Sequence, residues 1–97
     1  MSTISTSRKY PTHCVIGPTK DLYVCHYQSD NIATGRRLAW DGSGYTPGAE
    51  VTVVGSGVAQ LRGHVQQLPN GDLDFVYVDT GGSILLATST DAGATWT

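Results

Sequence analysis

Apolar residues along this chain come in short bursts, each bounded by Gly, Pro, Asn or Asp, which is the arrangement of strands joined by turns. The first group of bursts predicts strands over His13 to Ile16, Leu22 to Tyr27, Arg37 to Trp40 and Val51 to Val54. Between them lie the turn Gly17-Pro18-Thr19-Lys20, a loop from Ser29 to Gly35, and the turn Asp41-Gly42-Ser43-Gly44. The second group predicts strands over Leu61 to Gln67, Leu73 to Val78 and Ser83 to Ser89, with turns at Pro69-Asn70-Gly71 and Asp79 to Gly82. The longest clear apolar run, Ile84 to Ala87, falls far short of the roughly 18 residues needed to cross a bilayer.

The two groups repeat each other. A shift of 51 places lays His13 on His64, Pro18 on Pro69, Asp21 on Asp72 and Leu22 on Leu73, and puts both cysteines on valines. Further along, Asp41 meets Asp91 at a shift of 50 and Tyr45 meets Trp96 at 51. A period near 50 is the size of one propeller blade, a unit that buries its faces only against neighbours. The expected fold is all-β: two imperfect four-stranded antiparallel blade-like repeats at 13–54 and 55–97, after an N-terminal arm at 1–12. A compact two-sheet sandwich or small barrel is the rival arrangement. The second repeat supplies three strands, and an unpaired edge invites a fourth. Thr3 to Lys9, from the same protomer or a neighbour, is the segment suited to fill it.

Ser89-Thr90-Asp91-Ala92-Gly93-Ala94-Thr95-Trp96 has the form Ser-x-Asp-x-Gly-x-Thr-Trp. Asp91 and the hydroxyls of Ser89 and Thr95 are placed to hydrogen-bond turn amides, Gly93 supplies a positive φ, and Trp96 packs beneath the turn. The segment resembles the Asp box (BNR-type repeat) of β-propeller blades in sialidases and many glycan-binding proteins, where it marks the fold and not the chemistry. Trp40 to Ala49 resembles the repeat of small two-blade fucose-binding lectins, in which a Trp-Asp-Gly turn precedes an aromatic residue and then Gly-Ala. This second resemblance implies three chains closing a six-bladed ring. Where that family places an Arg early in the second strand and a Glu three positions before the Trp, this chain has Tyr23 and Arg37. The candidate glycan-contacting residues are therefore Trp40, Tyr45, Tyr23 and Arg37, with Trp40 or Tyr45 as the platform for a pyranose face. Packing in a core or interface is the competing role for the two aromatics. The structural turn residues are Ser89, Asp91, Gly93, Thr95, Trp96 and Asp41.

Composition narrows the partners. A net charge of -2 with only 6 Lys and Arg leaves no cationic footprint for nucleic acid. The polar start, Met1 to Tyr10, lacks the apolar core of a signal peptide, and no membrane segment is expected. Cys14 and Cys25 could pair only if they face each other across a hairpin, and their valine counterparts argue for plain packing. His13, His26 and His64 do not form a metal site by spacing, and no cofactor is implied. Four arginines and the single glutamate, Glu50, cannot make the arginine cluster and Tyr-Glu pair that a sialidase needs. No acid, base and nucleophile can be named, so no enzyme is expected.

The expectation is a non-catalytic structural or attachment module of a homo-oligomeric assembly, a trimer or a multiple of one. Its expected setting is a phage virion, as a decoration or fibre-type protein beside other virion proteins, with contact to a cell-surface glycan. A free-standing oligomeric lectin is the alternative, and a fragment of a sialidase-like propeller a remote one. In the virion setting, the polar arm docks on another chain.

Overall fold

The computed structural model describes residues 3–4, 8–59 and 63–97. Their regular structure is entirely β, in two antiparallel sheets. The first sheet holds β1 (Lys9–Ile16), β2 (Asp21–Gln28) and β3 (Ile32–Trp40), followed by β4 (Tyr45–Pro47) and β5 (Val51–Val54). Both β4 and β5 pair with the free side of β3, β4 near Leu38 and Trp40 and β5 near Ala33 and Gly35, so they form one outer strand interrupted at 48–50. The second sheet holds β6 (His64–Gln67), β7 (Leu73–Val78) and β8 (Ile84–Ser89) in that order.

The expected loop from Ser29 to Gly35 is instead a two-residue turn. Asp30 and Asn31 both take positive φ, 66° and 62°, the backbone of a tight hairpin whose twist matches its strands. The Tyr27 hydroxyl accepts the Asn31 N–H at 3.2 Å, and β3 begins at once with Ile32. The second sheet also carries the first rung of a fourth strand. Thr97 exchanges two backbone hydrogen bonds with Thr88, each 2.9 Å.

The strand expected from Leu61 begins outside the described residues, which resume before β6. Of Thr3 to Lys9, residues 5–7 also lie outside them. Lys9 opens β1 opposite Tyr27, Arg8 pairs with Glu50, and Thr3 and Ile4 border a hollow over Val24 and His26. What is described of the arm therefore lies on the chain's own first sheet, and β1 runs into the segment read as an arm.

How the sheets stack follows from contacts at their two ends. The Val65 N–H donates to Thr12 Oγ1 at 3.4 Å and the Gly17 N–H to Gln67 Oε1 at 3.0 Å, so β1 and β6 run side by side in the same direction. At the opposite end the connection through Val58 ties the β2–β3 turn to the β7–β8 turn: Val58 N–H to Asn31 O, 3.0 Å, and Thr80 N–H to Gly57 O, 2.9 Å. Like strands thus lie over like strands and point the same way. Sheets stacked so must meet through opposite faces, whereas a two-fold sandwich would join like faces. The ladders agree: Leu22 faces Leu38 and Leu73 faces Ser89, keeping the 51-place shift. Leu73 and Phe75, packed in the core, therefore correspond to Leu22 and Val24, on the first sheet's open face.

The core between the sheets joins Ile16, Tyr23, Cys25 and Ala33 to Val65, Leu73, Phe75 and Ala87. Each large side chain so buried contributes about 1.5–3 kcal/mol. One equivalence shifts. His64 faces Val76, the counterpart of Cys25, whose own partner is Thr12. The turn from Gln67 to Leu73 is longer than that from Ile16 to Asp21, so His64 corresponds to Thr12 and not to His13.

Candidate functional site

The hairpin after β8 folds around Asp91. Its Oδ1 accepts the Thr95 N–H at 2.9 Å and the Ser89 hydroxyl at 2.8 Å, and its Oδ2 accepts the Thr95 hydroxyl. These donors, the Thr95 hydroxyl first, hold the Asp91 carboxyl down at about 2. Ser89 Oγ accepts the Gly93 N–H at 2.8 Å inside the turn. Gly93 has φ 91°, and a Cβ there would sit 2.0 Å from the Tyr23 ring, so glycine is required both by conformation and by space.

The turn also staples the two sheets. Tyr23 donates its hydroxyl to Gly93 O at 2.8 Å and receives the Trp96 Nε1–H at 3.2 Å, with the two rings 5.7 Å apart. Trp96, expected beneath its own turn, is thereby anchored on the neighbouring sheet. Tyr23 is 1% exposed, and burial pushes its hydroxyl pKa up. This side chain belongs to the core and forms part of the wall of a cleft it shares with Arg37.

Arg37 shares the packed face with Tyr23, its cross-strand partner. Asp21 holds it: Arg37 Nε donates to Asp21 Oδ2 at 2.8 Å, while Asp21 Oδ1 accepts the Trp40 N–H at 2.9 Å. The Trp40 amide, then the Arg37 guanidinium, lowers the Asp21 pKa. Arg37 also borders a cleft of about 160 Å³ with Asp91, Gly93 and Gly48.

Trp40 and Tyr45 lie on the other, open face. They are cross-strand partners at the tip of the β3–β4 hairpin, with ring centroids 4.9 Å apart and planes tilted by 49°. Asp41 shapes that tip as an Asx turn, its Oδ1 accepting the N–H groups of Ser43 and Gly44 at 2.9 and 2.8 Å. Tyr45 is fixed by its hydroxyl, which donates to Lys20 O at 3.1 Å. Trp40 keeps 37% of its surface exposed. The four candidate ligand residues therefore divide, Trp40 with Tyr45 on one face and Tyr23 with Arg37 on the other.

Sequence reasoning missed a charged cluster on the open face. Glu50 takes a two-pronged contact from Arg8 at 3.0 and 2.8 Å and a third from Arg36 at 3.3 Å. Chiefly through Arg8, the Glu50 pKa falls to about 2. No spacing signal links residues so far apart in the chain. Beside this cluster, Thr3, Ile4, Arg8, Pro11, Val24 and His26 line a hollow of about 320 Å³. His26 Nδ1 meets Thr34 Oγ1 at 2.8 Å, and burial lowers its pKa.

Among the described residues no three of His, Cys, Asp and Glu stand close enough to hold a metal ion. Cys14 and Cys25 are free thiols, and burial raises the pKa of both. No described helix is long and apolar enough to cross a membrane. No family model, curated protein or solved structure matches the chain.

Proposed function

We propose that this chain is a non-catalytic attachment module of a homo-oligomeric assembly, built from two blade-like repeats, and that it contacts a glycan through Trp40 and Tyr45. The observation that carries the reading is the Trp40–Tyr45 pair itself: two rings held at 4.9 Å by a tight hairpin and turned to solvent on the open face. Immobilised aromatic faces of this kind suit the apolar side of a pyranose at low entropic cost. Asp91 and Glu50 are taken up by the contacts that fix the turn and the Arg8–Arg36 cluster, and with their pKa values lowered neither is poised as a general acid. General acid catalysis calls for the opposite shift.

A phage particle, with the chain as a decoration or fibre-type component, is the setting we assign, on the low charge and the small size. The second reading, a free oligomeric lectin, rests on the same aromatic pair. A glycan array followed by titration of tryptophan fluorescence tests the contact. Saturable binding should appear and should vanish in Trp40→Ala while circular dichroism stays unchanged. An array without hits contradicts glycan contact in either setting.

A further inference from the structure

The stacking that joins the two sheets leaves it unfinished at both ends. Because like strands run the same way, the open face of the second sheet is the counterpart of the first sheet's packed face, and the open face of the first sheet is the counterpart of the second sheet's packed face. Each open face thus has the partner it lacks built into another copy of the same chain.

The side chains fit that relation. Val78 faces Ile84 and Val76 faces Leu86 on the open side of the second sheet, with Ile84 75% and Leu86 56% exposed. Their counterparts on the first sheet, Ala33 for Ile84 and Cys25 for Val76, are 1% and 0% exposed. Across the first sheet's open face runs the row Val15, Leu22, Leu38 and Pro47, paired one to the next. Its counterpart row includes Leu73 and Ser89, 0% and 1% exposed in the internal contact, while in the open row Leu38 is 3% exposed and Val15, at its edge, 57%.

In the internal contact Phe75 and Tyr77 of the second sheet pack in one core with Ala33, Cys25 and Tyr23 of the first. On the second sheet's open face the large groups are Leu86 and Ile84, and the first sheet offers a hollow of about 320 Å³ walled by Thr3, Ile4 and Arg8, with Val24 and His26, 6% and 4% exposed, beneath it.

We infer that a second copy of this chain docks head to tail, its Ile84 and Leu86 entering the hollow over Val24 and His26 and its open face covering Val15 and Leu22. This deepens the homo-oligomeric reading above and rests on it. The contact is heterologous, so it repeats from copy to copy until the rotation closes a ring. Trp40 and Tyr45 stay at the rim. The ladder sets Thr88 opposite Thr97 as it sets Arg37 opposite Gly48, so the counterparts of Trp40 and Tyr45 are Asp91 and Ala94, and the expected matches of Asp41 with Asp91 and Tyr45 with Trp96 shift. Both counterparts remain exposed beside the internal contact, so docking does not remove the aromatic pair from solvent.

The test uses the full chain and two exposed positions, Val15→Asp on one face and Leu86→Asp on the other, with Ile84→Asp as a second variant of the latter. Mass by light scattering and near-ultraviolet circular dichroism are recorded together. Wild type should be an oligomer, each folded variant a monomer, and an equimolar mixture of Val15→Asp and Leu86→Asp a dimer, since one intact pair of faces remains between them. Oligomers that survive both substitutions, or a mixture that stays monomeric, overturn the head-to-tail faces and leave a homo-oligomer joined elsewhere. A monomeric wild type removes the homo-oligomeric reading too, while glycan binding, read separately through Trp40, stands or falls on its own.

Discussion

Gly93 and Ser89 carry more of this structure than their size suggests. Ser89 is 1% exposed and its hydroxyl oxygen accepts the Gly93 N–H. Ser89→Ala leaves that amide buried without a partner, an expected loss of about 1–3 kcal/mol, which thermal denaturation would register as a drop of about 4–8 °C per kcal/mol for a domain this small. Gly93→Ala should cost more. Its positive φ adds about 1–2 kcal/mol, and the new methyl drives into the Tyr23 ring at a further cost of about 1–3 kcal/mol. The carboxylates set the response to acid. Asp91 and Glu50 both fall to about 2 on folding, below the ordinary carboxylate range near 4. A depressed folded pKa stabilises the fold above the unfolded value and ceases to do so as pH falls through the folded one. The melting temperature should therefore drop between about pH 5 and pH 2, and Glu50→Gln should flatten part of that slope. An unchanged slope would mean that the Arg8 and Arg36 contacts contribute nothing.

Among the elements, the central strands were legible because Leu22 to Tyr27 and Leu73 to Val78 are predominantly apolar, broken by His26 and Asp74 alone, between turn residues. The start of β3 was not, since Thr34 and Gly35 read as loop until Asp30 and Asn31 are seen to close a two-residue turn. β4 has only 3 residues, too few for a pattern. Trp40 and Tyr45 could be paired from sequence because a local hairpin joins them, whereas the burial of Tyr23 could not be read, because its partners Gly93 and Trp96 lie some 70 residues on. The β2–β3 turn gives its own prediction. Asn31→Gly should leave stability in urea nearly unchanged, and Asn31→Val should lose about 1–2 kcal/mol, because a β-branched residue resists positive φ. Equal losses for both would show that φ at position 31 is not what the turn requires.

Taken whole, the molecule is a stack of two sheets whose period does not end within the chain. The sequence repeat pointed to this, but the facing did not follow from it, since a one-residue difference between turns moved His64 from the place of His13 to that of Thr12. That shift supplies the most direct test. Thr12 touches Val65 inside the chain, so their counterparts, His64 of one copy and His13 of the next, should touch between copies. In the double variant His13→Cys and His64→Cys, mild oxidation followed by a denaturing gel should give a ladder of covalently joined chains, absent in wild type, whose Cys14 and Cys25 face inward. A doubly substituted chain that remains folded and runs only as a monomer would contradict the head-to-tail stack.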